Sequence, residues 1–180
     1  MRLDDLTKAE YRLLHAVGNE LANSIWEAGV SSQRGWEKPA PDSSRKIKED
    51  WIKSKYVWKG FLEYKNEDGK KHEDRIGTFN VELYEAARNC DLHGVSLALA
   101  KGAVVDWKNS EENGKSALHI CASSIPTGDR PWKGIECAEL LIQNGAKLDL
   151  EDNDHHTVLD CAVTGTGNQE MVEYLLARVT

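Results

Sequence analysis

The chain of 180 residues lacks several things, and each absence removes a class of function. No run of about 18 apolar residues occurs, the minimum for a helix that crosses a bilayer. The first thirty residues have no basic start followed by an apolar stretch, so no secretory signal is expected. Cysteine never appears as C-x-x-C. Cys90, Cys121, Cys137 and Cys161 each stand alone inside an apolar helical pattern and read as buried reduced thiols. A zinc site built from them would need folding to gather single ligands and to recruit His119, or His155 and His156. A positive excess is missing too: 23 Lys and Arg against 30 Asp and Glu leave a net charge of -7. That balance opposes nucleic acid and anionic membrane, which both require a basic field. The expectation is a cytoplasmic protein with no nucleic-acid partner and no direct membrane insertion.

What is present is the composition of a packed globular protein, 40% hydrophobic and 29% charged. Thr7-Lys8-Ala9-Glu10 fits a capping box and predicts a helix start, with Leu6 and Tyr11 placed to staple it. Tyr11, Leu14 and Val17, widened by Leu13, form an apolar stripe at helical spacing. Gly18-Asn19 interrupts that helix, and Leu21, Ala22, Ile25 and Trp26 give the buried face of a second segment. Asn23, on the edge of this face, reads as a core amide with satisfied hydrogen bonds.

Gly29 to Pro41 is loop-like, and its Trp36 is too large to stay exposed, so it is expected to fold back onto a helix. Asp42, Ser43 or Ser44 then caps a third helix. Ile47, Trp51, Ile52, Tyr56, Val57, Phe61 and Leu62 are assigned to its inner side. Arg45, Lys46, Lys48, Glu49, Asp50, Lys53 and Lys55 are assigned to a solvated outer side. The basic members, Arg45 and Lys48 among them, are candidates for contact with an acidic partner surface. Lys65 to Asp74 is a mixed-charge linker in which His72 is solvated.

From Val81 onward the chain repeats itself. Gly114-Lys115-Ser116-Ala117-Leu118-His119 resembles the opening phrase of an ankyrin repeat, and Leu140-Leu141-Ile142-Gln143-Asn144-Gly145-Ala146 resembles its ending. Leu83-Tyr84-Glu85-Ala86-Ala87 with Leu97 to Ala103 supplies a unit before it, and Thr157-Val158-Leu159-Asp160 with Val172 to Leu176 supplies one after. Three units are about the minimum for a stable stack. Gly102 and Gly145 are assigned positive φ at the close of each second helix. The third unit carries Asp160 in place of His and lacks the closing Gly-Ala, as a terminal cap would. Gly102 and Gly145 lie 43 residues apart, about ten more than one ankyrin period. The excess is placed in a longer hairpin near Ser110 to Asn113 and an insertion within Ser124 to Ile135. That insertion carries Arg130, Trp132 and Lys133, a Trp between two cations on a loop, and is the candidate protein-binding anchor.

The block before the repeats resembles the C-terminal half of the ArfGAP family over residues 2 to 63. The resemblance is carried by Gly18-Asn19, Asn23, Trp26-Glu27, Lys38-Pro39, Arg45, Trp51-Ile52 and Lys55-Tyr56. It implies a regulator of Arf-family small GTPases in membrane traffic, similar in domain order to the ACAP and ASAP groups, and peripheral at membranes through other domains. Family members also carry a four-cysteine zinc finger and, shortly after it, a catalytic arginine. Neither motif occurs here, and Arg2 falls too late in the pattern to be that arginine. The chain is therefore expected to hold no zinc, to have no catalytic, metal or cofactor residue, and not to act as an enzyme alone. The expected architecture is all-α: a helical ArfGAP-like remainder at 1-64, a polar linker at 65-78 and three ankyrin repeats at 79-180. A non-enzymatic ankyrin interaction module is the alternative function. Loss of the zinc-bearing half is expected to expose Leu13, Leu14 or Trp26 and to favour self-association.

Overall fold

A computed structural model describes residues 6–33, 35–64, 73–124, 133–165 and 168–179, Asp74 through its backbone alone. Among the described residues there are eight α-helices and no strand. In chain order they are α1 Lys8–Trp26, α2 Arg45–Ile52, α3 Ile76–Arg88, α4 Leu92–Lys101, α5 Ala117–Ser123, α6 Lys133–Gln143, α7 Val158–Thr164 and α8 Gln169–Val179.

Local chemistry sets the ends of these helices. Thr7 and Glu10 close the expected capping box on α1, the Thr7 amide donating to Glu10 Oε2 at 2.7 Å. Inside α1, Gly18 takes φ 46° and ψ 178°, which divides the helix at the position where the sequence predicts an interruption. Ser44 caps α2 by accepting from the Ile47 amide. Gly102 and Gly145 adopt φ of 101° and 91°, the left-handed closures assigned to them.

The repeats form one core. Leu83, Leu118, Leu141, Val158 and Leu175 are all essentially inaccessible within it. The helix pairs α3/α4, α5/α6 and α7/α8 stack in order, and α3 also packs on α5 and α5 on α7. In the middle unit, Ser116 Oγ lies 2.8 Å from His119 Nδ1, and the Ser116 amide donates to the same nitrogen at 3.3 Å. Nδ1 therefore accepts, and the proton sits on Nε2, 3.3 Å from the His156 carbonyl oxygen of the next unit. In the third unit Thr157 and Asp160 make the equivalent cap, Thr157 Oγ1 donating to Asp160 Oδ2 at 2.7 Å.

The N-terminal block is not a loose appendage. Helix α1 lies across α4 and α6. At its start Ala9 packs on the repeat core, and Glu10 Oε1 accepts from Gln143 Nε2 at 3.3 Å. Toward its end, Ile25 is buried with Leu62 and Ala100 of α4. Lys59 Nζ donates to the Ala100 carbonyl at 2.8 Å. The last two pairs of the stack are tied by the buried Glu139 of α6. It accepts from Tyr174 Oη at 2.6 Å, from Gln143 Nε2 at 2.8 Å and from the Arg178 guanidinium.

Several expectations for α1 are corrected. Tyr11, assigned to a staple on Leu6, is 56% exposed and stands edge-on to the His15 ring. Leu14 is 59% exposed while Leu13 is buried and Trp26 half-buried, so of the three residues expected to be uncovered only Leu14 is. The reason is that α1 turns its Ala9, Leu13 and Ile25 positions inward, and the stripe drawn through Tyr11 and Leu14 misses that side.

Two glycines test this backbone reading. Gly18→Ala is expected to destabilise the protein by about 1–3 kcal/mol, because a side chain there must hold a sparsely populated conformation. Gly77→Ala, in α3 with open space around its Cβ position, is expected to stabilise by about 0.5–1 kcal/mol through helix propensity. Urea denaturation of the two variants measures both signs. His119 supplies a pH test. Burial holds its imidazole below the ordinary histidine range, against an opposing pull from the His156 carbonyl. The unfolded chain then binds a proton that the folded chain refuses, so stability is full above about pH 6.5 and falls as pH drops from there through the folded pKa. Denaturation midpoints from pH 7.5 to 5 are expected to show this loss, and to show less of it in His119→Gln.

Candidate protein-interaction site

Helix α2 continues into a π turn, Lys53–Val57, before the chain turns back at Lys59 with φ 51°. Each residue of a π turn sweeps a smaller angle than in an α-helix, so the pattern read at α spacing loses phase here. Trp51, Phe61 and Leu62 stay inside as assigned, while other positions exchange faces. Trp51, Ser54, Lys55, Phe61 and Leu62 are buried. Ile52, Tyr56 and Val57, expected inside, are 53%, 47% and 69% exposed, Ile47 is exposed as well, and Trp58 just beyond them is 66% exposed.

Lys55 is the most consequential of these corrections. It was assigned to a solvated face, yet its side chain is 6% exposed. Its ammonium donates to Glu27 Oε1 at 2.7 Å and to Asn23 Oδ1 at 2.6 Å. Glu27 takes a second cation, Lys38, at 2.8 Å on its other oxygen. Burial pushes the Glu27 carboxyl up, and the two lysines more than offset this and hold it below the usual range. The Lys55 ammonium also lies 5.0 Å from the centre of the Tyr56 ring, which in turn packs against Trp26 at 5.2 Å. Asn23, Trp26, Glu27, Lys38, Lys55 and Tyr56 thus converge in one knot, an arrangement that sequence spacing did not reveal. The amide oxygen of Asn23 finds a hydrogen-bond partner, and that partner is a cation.

Beside this knot, Trp36 folds back as predicted, 5.1 Å from Phe61 and 6.3 Å from Trp51, while those two rings lie 4.6 Å apart. Gly29 permits the closure: its amide donates to the Phe61 carbonyl at 2.8 Å, and a Cβ there would stand 3.1 Å from that oxygen.

Arg45, with a side chain 92% exposed, pairs with Glu49 at 2.7 Å. Lys48 donates to the Pro41 carbonyl. Lys133 opens α6, while Arg130 and Trp132 lie outside the described residues. What the sequence reading missed is the apolar outer face of the π turn, with exposed Lys46 and Lys53 at its margins. The four cysteines are free and buried. Among the described residues no three His, Cys, Asp or Glu side chains are grouped to hold a metal ion. No described helix is long and apolar enough to cross a membrane.

Removing Lys55 is expected to be severe. Lys55→Ala leaves Glu27 short of its buried partner and should cost about 3–5 kcal/mol, as breaking a buried pair does. Arg45→Ala, which breaks an exposed pair on the same block, should change stability by less than about 0.5 kcal/mol. Equal effects of the two in thermal or urea denaturation would refute the central place given to Lys55.

Comparison with known proteins places these features. The family described as Ankyrin repeats matches residues 83–180 in three copies. Arf-GAP with coiled-coil, ANK repeat and PH domain-containing protein 2 of Gallus gallus is 23% identical over 229 residues, spanning 84% of this chain and 28% of that protein. The corresponding protein 3 of Homo sapiens is 42% identical over 62 residues, 34% of this chain and 7% of its own length. Protein csx2 of Schizosaccharomyces pombe is 26% identical over 153 residues, 84% of this chain and 14% of its own. The chain therefore spans between a fourteenth and just over a quarter of these relatives. With more than half of its residues matched as three successive repeats, the chain belongs to the ankyrin-repeat family.

Proposed function

We propose that this chain is the repeat-bearing part of a regulator of Arf-family small GTPases, one that binds its partners and does not by itself accelerate GTP hydrolysis. The observation that carries this reading is the reach of the similarity. A protein named as an Arf-GAP with ankyrin repeats aligns with 84% of the chain, a length that must include helical-block residues as well as repeats. The tight seating of α1 on α4 and α6 fits such a unit. The helical block serves as a platform and the repeats extend it.

Rate acceleration in GTPase activation rests on a guanidinium that meets charge developing on the transferred phosphoryl group. Two described arginines are committed elsewhere: Arg88 to Glu85 and Glu112, and Arg178 to Glu139. Binding, in contrast, needs only surface. Arg45 and Lys48 on the platform, and Arg130, Trp132 and Lys133 in the repeats, are the proposed contacts. The alternative reading, a protein-binding ankyrin module indifferent to Arf, is supported by the repeat family alone.

The test uses the full chain and a GTP-loaded Arf-family GTPase. Interferometry is expected to detect binding, and phosphate release is expected to stay within about twofold of the GTPase alone, far from the 10³- to 10⁵-fold of an arginine finger. Acceleration beyond tenfold would overturn the non-catalytic reading. Absence of binding would overturn the Arf reading and leave the ankyrin module. Trp132→Ala is expected to weaken whatever protein contact the repeats make by about 2 kcal/mol or more, as loss of a Trp anchor does.

A further inference from the structure

We infer that the apolar outer face of the π turn docks into a cleft on the first ankyrin unit of a second copy of this chain, giving a twofold dimer. Two independent surfaces carry the inference. The first is the exchange of faces already described. Ile52, Tyr56, Val57 and Trp58 are all about half or more exposed, within seven residues that also bury a lysine and a serine. Exposed Lys46 and Lys53 border them. Single exposed apolar residues are ordinary, but an aromatic and aliphatic group in one short stretch, rimmed by charge, marks an interface.

The second surface is a cleft of about 610 Å³ formed by Tyr64, α3 and α4. Phe79, Leu97 and Ala98 supply its apolar floor, and Glu82, Glu85 and Asp91 its acidic edge. Two cations also line it, Arg75 and Lys101. Lys101 is buried, its ammonium 5.7 Å from the Phe79 ring centre, and Glu85 shares its carboxylate with Arg88 at 3.3 Å, so exposed Glu82 carries the acidic side of the rim. The apolar centre with a basic margin on one surface is thus answered by an apolar floor with an acidic margin on the other. The wider charge distribution agrees: residues 81–180 hold 16 Asp and Glu against 8 Lys and Arg, whereas residues 1–80 hold 14 against 15.

Both surfaces sit on each copy and close together. Lys59, next to Trp58, donates to the Ala100 carbonyl of α4, and α4 lines the cleft through Leu97, Ala98 and Lys101. Tyr64 follows Trp58 by six positions, a span of at most about 20 Å. With donor and acceptor surfaces adjacent, a twofold axis lets each copy fill the other's cleft. The contact closes on itself and buries two equivalent patches in place of one.

Sedimentation equilibrium of the full chain tests this. The expected result at low ionic strength is a two-copy species, and at about 0.5 M salt, where exposed charges are screened, its association weakens at least tenfold. Val57→Glu, Lys53→Glu and Glu82→Lys, all at exposed positions, are each expected to weaken dimerisation at least tenfold with unchanged circular dichroism. Ile52→Ser carries the same expectation should Val57→Glu alter helicity. Mixing the Lys53→Glu and Glu82→Lys proteins is expected to restore a heterodimer, because the two reversed charges then meet. A monomeric wild-type chain, a dimer that survives Val57→Glu, or a mixture that stays monomeric each overturns the inference.

Discussion

The shape of the helical block follows from one buried ammonium. Taking Lys55 out of water costs several kcal/mol even after relaxation, and the fold sustains it only because Glu27 and Asn23 meet it at hydrogen-bond distance. Asn23 lies on the second half of α1 and Glu27 caps its end, so the kink at Gly18 and the seat of the π turn both bear on the same requirement. Once Lys55 points inward, the neighbouring positions have no choice. Trp51 and Ser54 follow it into the interior, and Ile52, Tyr56 and Val57 face outward. The exposed apolar face is a geometric consequence of burying the charge.

The same block is held to the repeats by contacts of a different kind. Ile25, Leu62 and Ala100 supply apolar burial at one end of α1, while at the other end Glu10 and Gln143 lead to Glu139. Glu139 is fully buried, and its carboxylate is met by Gln143, Tyr174 and Arg178. Burial and the adjacent carboxylate push the Tyr174 hydroxyl well above its ordinary range, so it remains a proton donor to Glu139. Because a repeat stack gains stability mostly from contacts between neighbours, a helix laid across α4 and α6 adds a coupling that the linear array lacks. It joins platform and repeats.

Much of this was legible in the sequence, and the limits have physical causes. Capping boxes, the interruption at Gly18 and the closures at Gly102 and Gly145 depend on chemistry within a few residues, and they were readable one by one. Trp36 was readable because its size leaves few options. Lys55 was not, since a lysine's class predicts solvent and only the distant Asn23 and Glu27 make burial tolerable. The faces of α2 were misread for a related reason. A helical pattern assumes one angular step per residue, and the π turn at Lys53–Val57 changes that step for Tyr56 and Val57, while the exposure of Ile47 and Ile52 before it shows an inner side of α2 narrower than the one assigned. Position 155 marks another limit: the histidine there holds φ 63° beside Asp152, whose carboxylate accepts from the Asp154 and His156 amides. The left-handed turn is imposed by that bonding and carries no glycine to announce it.

Much of the buried polarity of the described residues is spent on holding the frame. Three buried clusters are paired internally, Lys55 with Glu27 and Asn23, Glu139 with Arg178 and Tyr174, and His119 with Ser116 and the His156 carbonyl, while Ser54 Oγ, Tyr84 Oη and Asp152 Oδ2 are buried without a hydrogen-bond partner. Groups so paired rigidify the frame. The side chains left to meet another molecule are large, apolar and aromatic, carried on a frame whose interior ion pairs fix their positions. Preorganised surface of this kind lowers the ordering cost of association. The buried charge of Lys55, which at first looks like a defect of the core, is thus what holds Ile52, Tyr56 and Val57 outward in a fixed array.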